Sequence, residues 1–126
     1  MEQDPNTATP LITQAACPVD ARPSGAPLLW GGLKIRVSPD SLVSRVYCSS
    51  EIVETFTCSY ELNPIYRNTL EKSGLKVSGV SQDGGARIVE LAEHHFFVGT
   101  GFVPQMSSEE NRPHPLIVAF MKSSAK

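Results

Sequence analysis

Three histidines and three cysteines are the side chains best suited to metal binding or nucleophilic chemistry, and none stands at a spacing that such chemistry requires. His94 and His95 are adjacent. Neighbours in a strand point to opposite faces, so the pair cannot easily chelate one ion. His114 lies between Pro113 and Pro115 at a helix start, where a polar side chain is useful as a cap. A metal centre needs three or four converging ligands. No spacing here supplies them, so neither a metal nor another cofactor is expected. A cysteine nucleophile needs a nearby base, and a sharp turn or helix N-terminus to lower its pKa. Cys17 precedes a proline, while Cys48 and Cys58 fall within apolar patterns; all three read as small buried packing residues. Gly79-Val80-Ser81-Gln82-Asp83 lacks the closing glycine of a nucleophile elbow, and there is no glycine-rich phosphate loop. Asp83-Gly84-Gly85 reads as a hairpin turn. The residues alone therefore show no catalytic constellation.

The stretch around which the rest is organised is His95–Ser108. Its apolar run, Phe96 to Gly99, predicts a buried central strand. The chain then enters Phe102-Val103-Pro104-Gln105, where Pro104 fixes its own φ and pushes Val103 toward an extended conformation. A strand end handing over to a stiff turn is where ligands tend to bind in open α/β sheets. The four residues after Gly101 carry no acid, base or nucleophile.

The other elements must position that turn. Residues 1–10 lack periodicity and predict a flexible tail, with a domain over 11–126. Leu11–Ala16 is a candidate strand, followed by a loop rich in proline up to Pro27. Leu28-Leu29-Trp30 predicts a plug over the core. Leu33, Ile35 and Val37 alternate with polar residues as a half-buried strand. Ser38–Ser41 caps a short helix, Leu42 to Tyr47, and Glu51 to Tyr60 reads as a strand. Asn63 and Pro64 start a helix that Gly74 ends, with Tyr66 and Leu70 on its buried face. Leu75–Val80 and Ala86–Leu91 form the hairpin. A last helix follows Pro113-His114-Pro115, with Leu116, Ile117, Phe120 and Met121 on the face that must dock. The sum is an α/β layered unit with mixed strands.

Composition limits the function classes. The 126 residues suffice for one domain with a modest core. A net charge of −2 gives no basic excess to hold nucleic acid by its phosphates. No apolar stretch approaches a membrane span, and the acidic, polar N-terminus is not a secretory signal. The odd number of cysteines, without a CxxC pair, argues against a disulfide framework and fits a reducing, cytoplasmic compartment.

Five stretches, in order and at matching spacing, resemble the C-terminal part of the glutamine amidotransferase domain of CTP synthase. They are Tyr60-Glu61-Leu62-Asn63, the Gly74-to-Gly79 strand, Val89-to-Val98, the Phe102–Gln105 turn and the His114-to-Phe120 helix. The family carries there an RHRYEVN-like segment, a GLxxSG strand, a VExxELPxHPWFV-like strand, an FHPE turn and an HPLFxxF helix. The resemblance covers roughly residues 33–124. It implies the C-terminal portion of a flavodoxin-like class I amidotransferase domain, a mixed sheet with a hairpin and two main helices, from a family of pyrimidine nucleotide biosynthesis.

The resemblance also implies what is missing. The family uses a Cys–His–Glu triad, with Cys in an earlier GxCxG elbow and His and Glu in FHPE. The histidine position here is Val103 and the glutamate position is Gln105. The arginine that holds the glutamine carboxylate corresponds to Ser59, and the basic residues before it to Thr55, Phe56, Thr57 and Cys58. A hydroxyl cannot replace a bidentate guanidinium. A group of shorter proteins, related to the CTP synthase C-terminal region, bears a closer resemblance still. Its CxYxxNPxY segment and FxPQ turn are met by Cys58–Tyr66 and Phe102–Gln105. The implied function is a degenerate, non-catalytic domain; the alternative is a glutamine-hydrolysing subunit whose nucleophile half lies on a missing segment or another chain. A glutamine-like small molecule would meet Ser59, Tyr60 and Glu61, because the family places glutamine there. The elbow is absent from these 126 residues. A unit lacking it leaves an apolar face uncovered, so a homo-oligomer, or the missing N-terminal half of the domain, is the expected partner.

Overall fold

The structure, a computed structural model, describes Asp4 and residues 6–125. Of the expected tail, Met1–Gln3 and Pro5 lie outside the described residues. The end of that stretch is held: the Asn63 side chain donates to the Pro10 carbonyl at 2.8 Å.

Two sheets form. β1 (Ile12–Gln14) and β4 (Tyr60–Leu62) make a small antiparallel ribbon. The main sheet runs β3 (Glu51–Cys58), β2 (Leu29–Val37), β5 (Leu75–Ser81), β6 (Ala86–Leu91), β7 (Val98–Thr100). The α/β class and the hairpin agree with the sequence reading. The pairings in both sheets are all antiparallel, so the parallel neighbours that a mixed sheet also needs are not among the described residues. Helices α1 (Leu42–Tyr47), α2 (Arg67–Lys72) and α3 (Pro115–Ser124) complete the unit; α1 packs against α3, and α2 along β5.

Local chemistry explains these boundaries. Ser41 caps α1, its hydroxyl accepting from the Ser44 N–H at 3.0 Å. The buried Glu90 carboxylate accepts from Leu42 N–H at 3.0 Å and Val43 N–H at 3.4 Å, a favourable anion at a helix start. Asn63 accepts from the Ile65 N–H, Pro64 follows, and one 3₁₀ turn leads into α2. Gly74 ends α2 at φ +105°, a region that favours glycine. Leu70 on that helix and Tyr66 in the 3₁₀ turn before it are half-buried.

Four expectations change. The Leu28–Trp30 plug is the start of β2, which begins four residues before Leu33 and runs through Gly31 and Gly32. Leu29 is buried there, whereas Trp30 is exposed. Phe96–Gly99 is no central strand: β7 is three residues long and borders the sheet on one side only. Phe96 leaves the ladder and meets the Phe120 ring edge-on at 5.7 Å, while Phe97 faces out. The cysteines are not core residues, since Cys17 and Cys48 are exposed and Cys58 is half-buried. On α3 only Leu116 is buried, and Phe120 and Met121 remain exposed because the helix docks at its N-terminal turn.

The core is one cluster in which Ile35, Val37, Val43, Ile52, Phe56, Ile88, Phe102 and Leu116 meet. Gly79 makes this packing possible. A Cβ there would lie 2.8 Å from Ile88 and 3.0 Å from Ile35.

Candidate functional site

The turn after β7 lies against β3. The Val103 N–H donates to the Thr55 carbonyl at 3.5 Å, and residues Pro104–Ser107 form a 3₁₀ turn. Val103 is half-buried and Gln105 faces out. Neither position presents a group that cycles a proton.

Behind this turn is a buried polar cluster that no motif spacing announced. Glu54 sits between Ile52 and Phe56 on the inward row of β3. Its Oε2 accepts from the Tyr47 hydroxyl and from His114 Nε2, and its Oε1 accepts from Ser107 Oγ at 3.3 Å. His114 is the α3 cap expected from sequence: its Nδ1 accepts from the Leu116 N–H at 3.1 Å. That bond requires a bare Nδ1, which leaves the ring proton on Nε2, aimed at Glu54. The Tyr47 phenol is pushed well above its ordinary value by burial and, further, by the hydrogen bond and charge of Glu54. The cluster thus pins α1, β3, the turn and α3 together. The sequence did hold a clue: an acid in phase with apolar residues on a strand needs buried partners.

A second buried cluster lies at the Asp83-Gly84-Gly85 turn, which forms as expected with Gly84 at φ +84°. Arg87 is buried and lies against the turn. Its Nε donates to Ser81 Oγ at 2.9 Å, Nη2 to Asp83 Oδ2 at 3.3 Å, and Nη1 is 3.6 Å from Glu61 Oε2. Gly85 leaves the room, because a Cβ there would lie 2.5 Å from Arg87 Nη2. Burial alone would push the Asp83 carboxyl up. Hydrogen bonds from Ser81 and Gly85 and the Arg87 charge outweigh this and hold it below the usual carboxylate range.

A cavity of about 350 Å³ opens beside this second cluster. Tyr60, Glu61, Arg87 and the segment Gly99–Gly101 line it, so the structure brings two of the three expected ligand residues to the end of β7. Ser59 does not line it. Its hydroxyl accepts from the Leu28 N–H at 3.1 Å, a structural bond between the residue before β4 and the residue before β2. His94 and His95 are exposed in the turn before β7, and His95 Nε2 lies 3.2 Å from the Ser123 carbonyl. Among the described residues, no three His, Cys, Asp or Glu side chains are grouped to hold a metal ion. Among those residues, no helix is long and apolar enough to cross a membrane.

The arrangement, a short edge strand that borders a cavity and hands over to a turn, is that of the class I glutamine amidotransferase fold. The glutaminase domain of Trypanosoma brucei CTP synthase, solved with bound acivicin, superposes with a TM-score of 0.79 and 24% identity over 91% of this chain and 46% of that one. A Thermoplasma acidophilum protein assigned as a GMP synthase subunit shares the fold at a TM-score of 0.61 and 13% identity, over 90% of this chain and 48% of that one.

The sequence similarity is to CTP synthases. It reaches 39% identity over 124 residues with that of Rippkaea orientalis, 98% of this chain and 23% of the relative. With that of Mycobacterium avium it is 39% over 130 aligned positions, 95% of this chain and 22% of the relative. With that of Sulfurisphaera tokodaii it is 35% over 124 residues, 98% of this chain and 23% of the relative. No family model matches the chain. The resemblance read from the five stretches is therefore shown: the chain is related to the glutamine amidotransferase domain of CTP synthase, and spans about a quarter of the length of the curated relatives it matches.

Proposed function

We propose that the chain is a degenerate, non-catalytic amidotransferase-like domain that acts as a binding or regulatory module. The observation that carries this reading is the turn after β7. Where the family motif has histidine and glutamate, Val103 and Gln105 stand, one half-buried and one facing solvent. Valine can neither take a proton from a thiol nor give one to a leaving amine, and glutamine cannot supply the anion that orients an imidazolium. The cavity bounded by Tyr60 and Glu61 supports retention of a small ligand at the place where the family holds glutamine. The free thiols of Cys17, Cys48 and Cys58 suit a reducing, cytoplasmic setting.

One observation favours a second reading. The chain matches only about 23% of its relatives' length, so a glutamine-hydrolysing site could be completed by a nucleophile on another segment or chain. Ammonia release from glutamine, measured on this chain alone and mixed with the nucleophile-bearing part of a related domain, separates the two. The first reading expects none in either case; ammonia in the mixture establishes the second. The exposed Phe120 and Met121 on α3 further support self-association or docking of the complementary half. A monodisperse monomer in sedimentation, unchanged by that half, would refute this part.

A further inference from the structure

We propose that the cavity beside Arg87 takes a small uncharged compound, an apolar body carrying a carbonyl-type acceptor that the free corner of the Arg87 guanidinium holds. The inference rests on the ligand-binding part of the reading above and not on its claim of inactivity. It goes beyond that reading by naming the atom that receives the ligand and the charge the ligand carries.

The state of Arg87 leads there. Its side chain is 2% exposed, and two of its three nitrogens are engaged, Nε with Ser81 and Nη2 with Asp83. Nη1 makes no hydrogen bond among the described residues. Its nearest carboxylate oxygen, Glu61 Oε2, is 3.6 Å away, beyond hydrogen-bond range. Ser81 and Asp83 do not line this cavity, whereas Glu61, on the Nη1 side, does. Glu61 Oε2 is enclosed by protein; Nη1 is not among the enclosed atoms that lack a partner, so it keeps some of the exposure left to the side chain. A buried donor without an acceptor is costly, and a ligand oxygen that meets it removes the cost.

Charge decides which oxygen fits. A carboxylate at Nη1 would be a third anion around one guanidinium, beside Asp83 and Glu61. A cation cannot reach the enclosed Glu61 oxygen and would meet Arg87 instead. A neutral acceptor takes the hydrogen bond and brings no unpaired charge. Leu29, Leu75 and Val89 supply apolar walls, and a volume of about 350 Å³ is at the small end for ligand sites.

The test titrates the full chain and follows backbone amide shifts at Tyr60, Val89, Gly99 and Gly101 by NMR. N-methylpyrrolidone is the neutral acceptor, N-methylpyrrolidinium the cation, cyclopentanecarboxylate the anion and cyclopentene the ring without oxygen; L-glutamine completes the series. Saturable shifts with N-methylpyrrolidone, about tenfold tighter than with any of the others, are expected. Arg87→Lys, checked for folding by circular dichroism, keeps a cation for Asp83 but removes Nη1, and should weaken N-methylpyrrolidone by about tenfold. If that variant fails to fold, the ligand series on the unaltered chain decides alone. No saturable shifts with N-methylpyrrolidone, equal or tighter binding of any other member of the series, or unchanged affinity in folded Arg87→Lys each overturns the proposal. Ammonia release from glutamine would refute the inactivity reading and leave this one standing.

Discussion

The chain buries two acid-centred clusters, and they are finished to different degrees. Around Glu54, both carboxylate oxygens receive donors, from Tyr47, His114 and Ser107, and His114 uses its remaining nitrogen to cap α3. Around Arg87, the guanidinium is well held, but Glu61 keeps a buried oxygen without a donor next to a cavity. A closed network of this kind stabilises; an open one leaves an interaction for something else to complete. The first lies behind the Val103–Gln105 turn and fixes its position, whereas the second borders the cavity lined by Tyr60 and Gly99–Gly101.

The sharpest way to break this contrast is at its two carboxylates. Glu54→Ala removes the acceptor of three donors, buried His114, half-buried Tyr47 and exposed Ser107, and should cost about 3 kcal/mol in urea unfolding. A loss below about 1 kcal/mol would show that the network is not closed.

Tyr47→Phe removes one donor of the three and should cost about 1 kcal/mol at neutral pH. The same residue predicts a pH effect. The folded phenol titrates above its ordinary value of 10.0, so stability present below that pH is lost as pH rises beyond it. The phenylalanine variant should lose that alkaline slope; an identical slope in both would assign it elsewhere.

Glu61→Gln should cost about 1 kcal/mol, less than Glu54→Ala, because its contact with Arg87 Nη1 at 3.6 Å is longer than a hydrogen bond and Arg87 keeps Asp83 and Ser81. A loss as large as that of Glu54→Ala would erase the distinction between the clusters.

The smallest effect is expected at Asp83, which is partly solvated. Its folded value lies below the ordinary one of 3.8, so its contribution is present above that pH and fades as pH falls through the lowered value. After screening by water, Asp83→Asn should remove no more than about 0.5 kcal/mol, visible only as a shallower acid limb in thermal unfolding. A steeper acid limb in the variant would show that the carboxylate is not held by Arg87.

Much of the fold was legible because it rests on local rules. The hairpin turns on Asp83-Gly84 and the strand alternation around it; α1 is bounded by Ser41, and α2 by Asn63, Pro64 and Gly74. These signals act within a few residues, where backbone sterics and capping decide. Phe96–Gly99 misled because a run of apolar residues reads the same whether it lies mid-sheet or turns away to cover a helix. The cysteines misled likewise: apolar neighbours in sequence do not fix which way a thiol points at a strand or helix end.

The candidate site divided in the same way. Val103 and Gln105, and the absence of proton chemistry at the turn, follow from residue identity once the motifs are aligned, and need no coordinates. The partnership of Glu54 with His114 spans 60 residues, and that of Glu61 with Arg87 spans 26. Which buried acid finds all its donors depends on how β3, β4 and β6 are placed against α3 and the turns. No local pattern encodes that placement, so only the tertiary structure could decide which carboxylate is closed and which is left open.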